Sequence, residues 1–543
     1  MYRDGLIEVA QCGDAPIAIL PGMANRHGLI AGATGTGKTT TVIAMAEAFS
    51  QAGVPVFLPD VKGDIAGISH SLPVTFWDIY GDPEDPYQGL PLRTTISEMG
   101  PTLLARMLDL TRVQEDILTI IFKIADDEGL LLIDTKDLRA MLGYVAEHAK
   151  DYSDDYGNMS KQSINVIQRG IVALEDAGGD RFFGEPALDI RDWFRTVTGE
   201  DGIARGMVNI LDGSDVIKNP KLYVTFMLWM LSELFEILPE VGDLAKPRLV
   251  FFFDEAHLLM DIASKPLLQK LEQMVKLIRS KGIGIYFITQ SPKDIPDGIL
   301  NQLGNKVQHA LHAYTPNEQK AIKAVADSFR NNPDFDIKAT VQELGIGEAL
   351  ISFIQADGTP AVVQRAKVML PEAQAGAIDA ADRQQQINAC EMYLKYGGDM
   401  IDRDSAYEFL NRKSIAAAQA QEEAEAEKQR QKEAEAAEKQ RQKEAEAAEK
   451  QRLKEEAAAE KQRQKEQERA EREAEKQRQK AAQARANAGK KLISSTARTA
   501  GGTIGRELGN TMGSTIGGSF GKKLGGNVGA SIGRGLFGNL FGK

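Results

Sequence analysis

Over roughly the first 370 residues, short apolar runs alternate with segments in which apolar residues recur every three or four positions. The short runs predict buried strands, and the periodic segments predict amphipathic helices. The clearest strand candidates lie at residues 27–31, 55–58, 248–253 and 284–288. Because strands and helices alternate along the chain, the pattern predicts an α/β fold with a mainly parallel sheet.

Helix-period segments fill the long interval between the second and third of these strands. They lie at residues 96–110, 114–125, 136–149 and 160–176. We therefore expect a helical insertion at 86–205, which divides the α/β core into a first part at 1–85 and a second part at 206–370. Further helices of the core are expected at 371–414. The insertion could form a face for a partner or a substrate, and a packing role explains it equally well.

Residues 415–488 consist almost entirely of Ala, Glu, Lys, Gln and Arg, which are strong helix formers. Within them the tetrapeptide Glu-Lys-Gln-Arg recurs every eleven residues from residue 427 to residue 463. An eleven-residue repeat suits a right-handed coiled coil. Its apolar residues are alanines apart from Leu453, so strands would be held together weakly. We expect a long, solvated and mainly single helix that acts as a spacer.

The tail at 489–543 repeats an apolar residue followed by glycine every four positions, eight times between Ile504 and Gly533. Repeated G-x-x-x-G permits close approach of helices in an apolar environment, whereas glycine at this density disfavours an isolated helix in water. The tail also carries a net charge of +7. We expect it to be disordered alone and to bind an anionic membrane or to self-associate.

Charge is spread unevenly along the chain of 543 residues. The whole chain carries −12, the segment 415–488 is neutral and the tail carries +7, which leaves −19 on residues 1–414. An acidic core is a poor general surface for nucleic acid, because phosphate contacts supply most non-specific affinity. A basic pore inside an acidic exterior would still permit DNA binding.

The chain has two cysteines, Cys12 and Cys390, which lie far apart and outside any Cys/His cluster. This usage favours a reducing compartment and argues against structural zinc. The sequence shows no cationic apolar leader and no run of about 18 apolar residues. We expect a cytoplasmic protein, and the cationic tail leaves a peripheral position at a membrane open.

The strand at 27–31 leads into a glycine-rich turn and then into a helix candidate at 40–49. The turn fits G-x-x-x-x-G-K-[ST] and reads Gly32-Ala33-Thr34-Gly35-Thr36-Gly37-Lys38-Thr39, with Thr40 after it. Its glycines let backbone N–H groups turn inward around phosphates, and the helix start adds partial positive charge. Lys38 would reach the β- and γ-phosphates of ATP, and the Thr39 hydroxyl would ligate Mg²⁺.

A second half of the site follows the strand at 248–253, which ends in Asp254 and Glu255. Open α/β sheets place their ligands at the carboxyl ends of such strands. Asp254 would hold the Mg²⁺ shell, and Glu255 would orient and activate the attacking water. The alternative is a strand that merely ends in acidic surface residues.

Two further candidates lie downstream. Gln290 follows the strand at 284–288 and could hydrogen-bond the γ-phosphate or its water, although an ordinary strand-end amide is equally compatible with the sequence. Arg279 ends a helix candidate at 265–279 and could neutralise charge at the nucleotide of a neighbouring subunit. Taken alone, Arg279 is better explained as a solvated cation at a helix terminus.

Together, the phosphate-binding turn, the stretch Leu249-Val250-Phe251-Phe252-Phe253-Asp254-Glu255-Ala256-His257, the arginine and Ile288-Thr289-Gln290 resemble the HerA/FtsK superfamily of P-loop ATPases. Within it the chain is most similar to bacterial HerA-like proteins of the YjgR type, over about residues 1–370. The resemblance implies a RecA-like core, ATP and Mg²⁺ as cofactors, a hexameric ring and DNA as a substrate. HerA itself has an N-terminal β-barrel before the P-loop, whereas only some 25 residues precede the loop here.

Other functions remain open at this point. The letters DEAH also suggest DEAH-box helicases, but a Ser-Ala-Thr motif soon after them and a second RecA-like domain are not visible in the sequence. A scaffold that is attached through the tail and regulated by ATP is the main alternative to a DNA motor, because the core is acidic and the tail cationic. A small-molecule kinase is a more distant alternative.

Overall fold

The computed structural model describes residues 1–79, 88–213, 220–262, 265–313 and 315–472. The end of the expected spacer and the whole glycine-rich tail at 489–543 lie outside the described residues. Residues 1–407 form one compact unit, and a second unit begins at Glu408. The boundaries 1–85, 86–205, 206–370 and 371–414 that the sequence suggests therefore all fall in or near the first unit.

Fifteen strands lie within the described part of the chain. In chain order they are β1 (Tyr2–Arg3), β2 (Leu6–Cys12), β3 (Ala15–Ile19), β4 (Gly28–Ala31), β5 (Val56–Asp60), β6 (Val74–Asp78), β7 (Leu90–Pro91), β8 (Thr196–Thr198), β9 (Ala204–Gly206), β10 (Val208–Asp212), β11 (Leu249–Phe253), β12 (Ile283–Thr289), β13 (Asn305–His309), β14 (Glu348–Ser352) and β15 (Gln364–Val368).

Thirteen of these strands form one sheet, in the order β1-β2-β15-β14-β13-β4-β12-β11-β5-β10-β6-β7, with β3 paired to β2. The strands from β13 to β7 in this order are parallel to one another. The remaining five extend the sheet with antiparallel pairs. The central strands β4, β5, β11 and β12 are buried along their whole length, which explains their nearly continuous apolar sequences. The expected α/β class with a mainly parallel sheet is confirmed.

Helices cover this sheet and build most of the interval between β7 and β8. In chain order they are α1 (Lys38–Gln51), α2 (Ile96–Met107), α3 (Arg112–Glu128), α4 (Thr135–Glu147), α5 (Ala149–Tyr156), α6 (Lys161–Asp176), α7 (Gly179–Phe182), α8 (Pro220–Ile237), α9 (Ala256–Ile262), α10 (Lys265–Ile278), α11 (Asp297–Leu300), α12 (Pro316–Ser328), α13 (Ile337–Glu343), α14 (Ala380–Ala389), α15 (Tyr393–Tyr396) and α16 (Ala406–Arg472). Short 3₁₀ turns lie at Pro21–Arg26, Ala66–His70, Ile190–Phe194, Arg279–Lys281 and Pro292–Asp294.

The four helices predicted between residues 96 and 176 are present as α2, α3, α4 and α6. Their apolar stripes point inward, with Ile121, Leu138 and Ile171 fully buried, and α2 also packs against α8 of the core. A side chain caps the first of these helices, since Thr95 closes a capping box with Glu98 at the start of α2. The periodic pattern therefore predicted these helices correctly, since each presents one apolar face to the interior.

After β15 the chain runs back across the molecule towards the helical insertion. Near its start, the Glu47 carboxylate on α1 accepts hydrogen bonds from the backbone N–H groups of Glu372, at 2.9 Å, and Ala373, at 3.3 Å. Further along, Arg383 on α14 pairs with Asp212 at the end of β10, at 2.8 Å. This returning segment thereby fastens helix α1 to the far half of the sheet.

The first residues of α16 are held by the insertion. The Asp137 carboxylate on α4 accepts hydrogen bonds from the Ser405 hydroxyl at 2.5 Å and from the Tyr407 N–H at 2.9 Å. The Ala406 N–H donates to the Leu131 carbonyl oxygen at 3.0 Å. Beyond this point the described part of the second unit is a single helix, and most of its side chains between residues 411 and 452 are exposed. Among the described residues, no helix is both long and apolar enough to cross a bilayer.

Candidate functional site

The glycine-rich turn joins the carboxyl end of β4 to the start of α1, in the strand–turn–helix context that the motif requires. Gly37 caps the helix with a left-handed backbone, φ 112°, which a residue with a side chain rarely adopts. Gly32 has no room for a side chain, because a Cβ atom there would lie 2.5 Å from the Cβ atom of His309. Glycine at these two positions is therefore required by the shape of the turn.

The Lys38 side chain folds back over the turn. Its ammonium donates to the carbonyl oxygens of Gly32 at 2.6 Å and Ala33 at 3.0 Å. Burial, followed by the nearby charge of Lys62, lowers the pKa of Lys38, whereas Glu255 and Asp254 oppose that shift. The lysine thus shares one electrostatic environment with the two carboxylates from the distant half of the sequence.

Those carboxylates follow β11, which the sheet separates from β4 by one intervening strand, β12. One Asp254 carboxylate oxygen accepts a hydrogen bond from the Glu255 N–H at 2.9 Å. Burial and then the neighbouring Glu255 charge raise the pKa of Asp254 to about 6, against the lowering effects of Lys62 and Lys38. Such a carboxylate has little compensating positive charge, and a divalent cation would supply it.

Glu255 lies between two basic side chains. Its carboxylate is 3.6 Å from the Lys62 ammonium and 3.2 Å from Nδ1 of His257. Its backbone is in the left-handed region, with φ 46°, an uncommon conformation for a residue other than glycine that is often found at functional sites. The turn after β11 therefore directs this carboxylate towards the loop that follows β5.

Asp60 at the end of β5 and Lys62 in the loop after it have different roles, which the sequence alone does not distinguish. Asp60 accepts hydrogen bonds from the N–H groups of Asp64, Ile65 and Ala66, at 3.1 to 3.2 Å. It is a turn cap. Lys62, two residues later, instead faces the site and contacts Glu255.

Strand β12 brings its own end to the same edge. The Gly32 N–H donates to the Thr289 carbonyl oxygen at 3.3 Å, and the Thr289 hydroxyl donates to Asp294 at 2.5 Å. Gln290 follows directly and is exposed. The structure thus places Gln290 at the strand end between the phosphate-binding turn and the two carboxylates.

Arg279 lies elsewhere. It follows α10 and precedes the amino end of β12, and its carbonyl oxygen accepts a 3.4 Å hydrogen bond from Asn25, just before β4. Since β12 spans 7 residues, the two edges of the sheet are separated by about 20 Å at this point. Arg279 is therefore not brought to the phosphate-binding turn of its own chain.

His309 supports the turn and was not singled out by the sequence. Because a carbonyl oxygen only accepts, His309 Nδ1–H donates to the Glu348 carbonyl at 3.1 Å, and Nε2 accepts from the Thr41 hydroxyl at 2.8 Å. The ring is fully buried. Its one available signal was its place at the end of β13, the strand next to β4.

The residues present fit a magnesium–triphosphate ligand. Thr39 and Thr40 begin α1 and remain partly exposed, and Thr34 and Gly35 at the tip of the turn are exposed. Across the described ranges, His, Cys, Asp and Glu side chains nowhere gather in groups of three or more that could hold a metal ion. A cation at Asp254 would thus take its remaining ligands from the Thr39 hydroxyl, phosphate and water, an oxygen set that Mg²⁺ prefers.

The sequence matches the family model described as "Helicase HerA-like C-terminal" over residues 7–71 and 69–466. No curated protein matches it significantly. Among solved structures, the bacterial conjugative coupling protein TrwBdeltaN70, in an unbound form, is 14% identical with a TM-score of 0.47, over 69% of this chain and 91% of the TrwBdeltaN70 chain. VirB4 of Thermoanaerobacter pseudethanolicus is 15% identical with a TM-score of 0.45, over 71% of this chain and 99% of VirB4.

Proposed function

This chain belongs to the helicase HerA-like C-terminal family, and from that membership we propose that it is a ring-forming motor that hydrolyses ATP and acts on DNA. The observation that carries the proposal is the sheet order, in which only β12 separates β4 from β11, so that Lys38 meets Asp254 and Glu255 at one edge of the sheet although more than 200 residues separate them in sequence. A lysine on a phosphate-binding turn, opposite paired carboxylates, is the arrangement that phosphoryl transfer to water requires.

In this proposal the backbone N–H groups of residues 32–40 cradle the phosphates, and Lys38 leaves its carbonyl partners to bind the β- and γ-phosphates. Thr39 and Asp254 would hold Mg²⁺, which would supply positive charge at the phosphate oxygens. Glu255 accepts a proton from the attacking water, and Gln290 orients that water or the γ-phosphate. Lys62 and His257 fix the position of the Glu255 carboxylate.

The position of Arg279 supports an oligomer. It lies at the amino edge of the sheet, away from the nucleotide site of its own chain, so any contact with a nucleotide requires a neighbouring copy. We infer a ring, most simply a hexamer, in which each Arg279 neutralises charge at the adjacent site. Translocation or remodelling of DNA is proposed from the family resemblance.

The test is steady-state ATP turnover with Mg²⁺, measured without DNA, with single-stranded DNA and with double-stranded DNA, alongside the mass of the assembly in solution. We expect a mass of six chains and turnover that DNA increases. Lys38→Ala and Glu255→Gln should each reduce turnover at least about 100-fold, because they remove the phosphate contact and the general base. Only Lys38→Ala should also abolish ATP binding.

Matched controls are Lys338→Ala and Glu343→Gln, which change exposed residues of α13 and should leave turnover unchanged. Turnover that survives Lys38→Ala would contradict the ATPase assignment. Turnover that DNA never alters, at any salt concentration, would contradict the DNA motor and favour the scaffold regulated by ATP.

A further inference from the structure

A β-turn at residues 345–348 stands directly beside the phosphate-binding turn. The Glu348 N–H donates to the Gly345 carbonyl oxygen at 3.0 Å, and Gly347 takes the left-handed conformation, φ +79°, that the third position of such turns favours. Ile346 occupies the corner and is 85% exposed. Within the described ranges few large apolar side chains are as accessible, and this one adjoins the site.

Two hydrogen bonds join this turn to the phosphate-binding turn and to His309, and a third joins it to β15. The Gly347 N–H donates to the Thr36 carbonyl oxygen at 3.1 Å, and the Gly347 carbonyl accepts from Val368 at 2.8 Å. The Glu348 carbonyl accepts from the buried His309 ring at 3.1 Å. A Cβ atom on Gly37 would lie 3.2 Å from the Gly347 nitrogen. The backbone of the turn is therefore fixed to the phosphate-binding loop, and this fixes the position of the Ile346 backbone beside the loop.

The polar groups around Ile346 are already engaged. The Glu348 carboxylate accepts hydrogen bonds from the Gly345 N–H at 2.9 Å and from Arg365 at 2.7 Å. These contacts neutralise the charge of Glu348 and leave a hydrocarbon side chain as the part of the turn that projects beside the loop. Arg365 is thus a brace for the turn.

Sheet order gives the direction in which a bound nucleotide lies. Asp254 and Glu255 follow β11, on one side of β4, whereas β13 and β14, which carry His309 and the turn, lie on the other side. A triphosphate whose γ end meets the carboxylates presents its nucleoside end to the opposite side of the loop. That side is where the turn displays Ile346.

We propose that Ile346 is the seat of the nucleobase, packing its hydrocarbon against the face of a purine ring. This inference rests on the proposed function, because it assumes that the loop binds a nucleoside triphosphate. An aliphatic side chain packs against ring faces and makes no hydrogen bonds to ring edges, so the seat does not distinguish adenine from guanine. The site is therefore one for purine nucleoside triphosphates in general.

The test compares ligands with and without a base. Isothermal titration with Mg²⁺ measures binding of ATP, GTP and inorganic tripolyphosphate to the full chain and to its Ile346→Ser variant, both in the Glu255→Gln background to prevent turnover. We expect Ile346→Ser to weaken ATP and GTP about tenfold, because an apolar contact is lost, and to leave tripolyphosphate binding unchanged. Ile346→Leu, which keeps an aliphatic side chain at this position, should retain the affinity for both nucleotides.

The matched control is Leu370→Ser, which removes another exposed apolar side chain, 74% accessible, near the end of β15. It should leave all three affinities unchanged. The proposal is overturned if Ile346→Ser weakens tripolyphosphate as much as ATP, if it changes no affinity but lowers the mass of the assembly, or if Leu370→Ser has the same effect as Ile346→Ser. If the Glu255→Gln chain with Ile346 intact binds neither ATP nor tripolyphosphate, the proposed function is overturned instead.

Discussion

His27 shows how a single residue ties the fold to pH. The ring is buried just before β4, its Nε2–H donates to the Val275 carbonyl at 2.8 Å, and its Nδ1 accepts from the Ile285 N–H at 3.0 Å. Only the neutral ring can make both bonds. Burial lowers the pKa of His27 to about 4 despite the opposing hydrogen bond to Val275.

This environment predicts a loss of stability in mild acid. In the unfolded chain His27 titrates near 6.5, and in the folded chain near 4. The contribution of His27 to the free energy of unfolding should therefore be constant above pH 6.5. It should fall as the pH decreases from 6.5 to 4, by up to about 3 kcal/mol. Urea denaturation at several pH values measures it.

Replacing the His27 ring isolates its contribution to the pH dependence of stability. His27→Gln should remove the contribution of this ring to the pH dependence between 6.5 and 4. The contributions of other groups that titrate in this range should remain, among them His309, whose pKa burial also lowers to about 4, and Asp254, whose pKa burial raises to about 6. His70→Gln, at an exposed position, should change nothing. An unaltered pH dependence in His27→Gln would show that the ring is protonated in the folded protein.

Single residues also show where sequence reasoning stops. Lys38, Asp254 and Glu255 could be located because phosphate and metal chemistry dictates their types and their places at strand ends. His309 could not, because it acts through a buried position that depends on β13 lying next to β4. Lys62 and Asp60 lie two residues apart, and only the fold shows that one faces the site while the other caps a turn.

At the scale of elements, β12 decides the geometry of the site. It lies between β4 and β11, so the phosphate-binding turn and the carboxylates meet across one strand width rather than side by side. Strands β4 and β12 also pack tightly: a Cβ atom on Gly28 would lie 2.4 Å from the Tyr286 ring and 2.8 Å from the Asn305 carbonyl oxygen. The Tyr286 ring is fully buried and cannot swing into solvent.

Gly28→Ala should therefore destabilise the protein without touching a nucleotide contact. We expect a loss of about 1 to 3 kcal/mol of unfolding free energy, because an added methyl group in a closed packing site forces the strands apart. Chemical denaturation gives this value. The matched control is Gly398→Ala, where a Cβ atom meets no atom within 4 Å; a similar loss in both variants would mean that the packing around Gly28 can relax.

Elements were predictable where the pattern was local. The long helices of the insertion and the buried strands β4, β5, β11 and β12 follow from periodicity and apolar runs. Strands β1, β2 and β3 were missed. Strands β1 and β3 pair with their sequence neighbour β2, and β2 joins the sheet through β15, more than 350 residues away in sequence. Local patterning carries no information about such a partner.

At the scale of the whole molecule, the two edges of the sheet hold complementary parts of the proposed site. The carboxyl edge carries the phosphate-binding turn and the carboxylates, and the amino edge carries Arg279. In the proposed ring, identical copies joined head to tail would complete one another's sites.

Mixing two inactive variants tests this arrangement. Lys38→Ala lacks a working nucleotide site but keeps Arg279, whereas Arg279→Ala keeps the site but lacks the arginine. In rings assembled from equal amounts, about a quarter of the interfaces pair an intact site with an intact arginine, so turnover should reach about a quarter of the wild-type value. If the mixed rings, identified by mass, show no gain over the separate variants, Arg279 does not act on a neighbour.

The anchoring of α16 determines how a pull on the C-terminal helix reaches the rest of the protein. Its first residues are fastened by Asp137 and the Leu131 carbonyl, both in the helical insertion. Tension along a tether at that helix would load the insertion first, leaving the chemical centre mechanically sheltered. A cargo or a fixed support could thus be attached there while the hydrolytic cycle runs undisturbed.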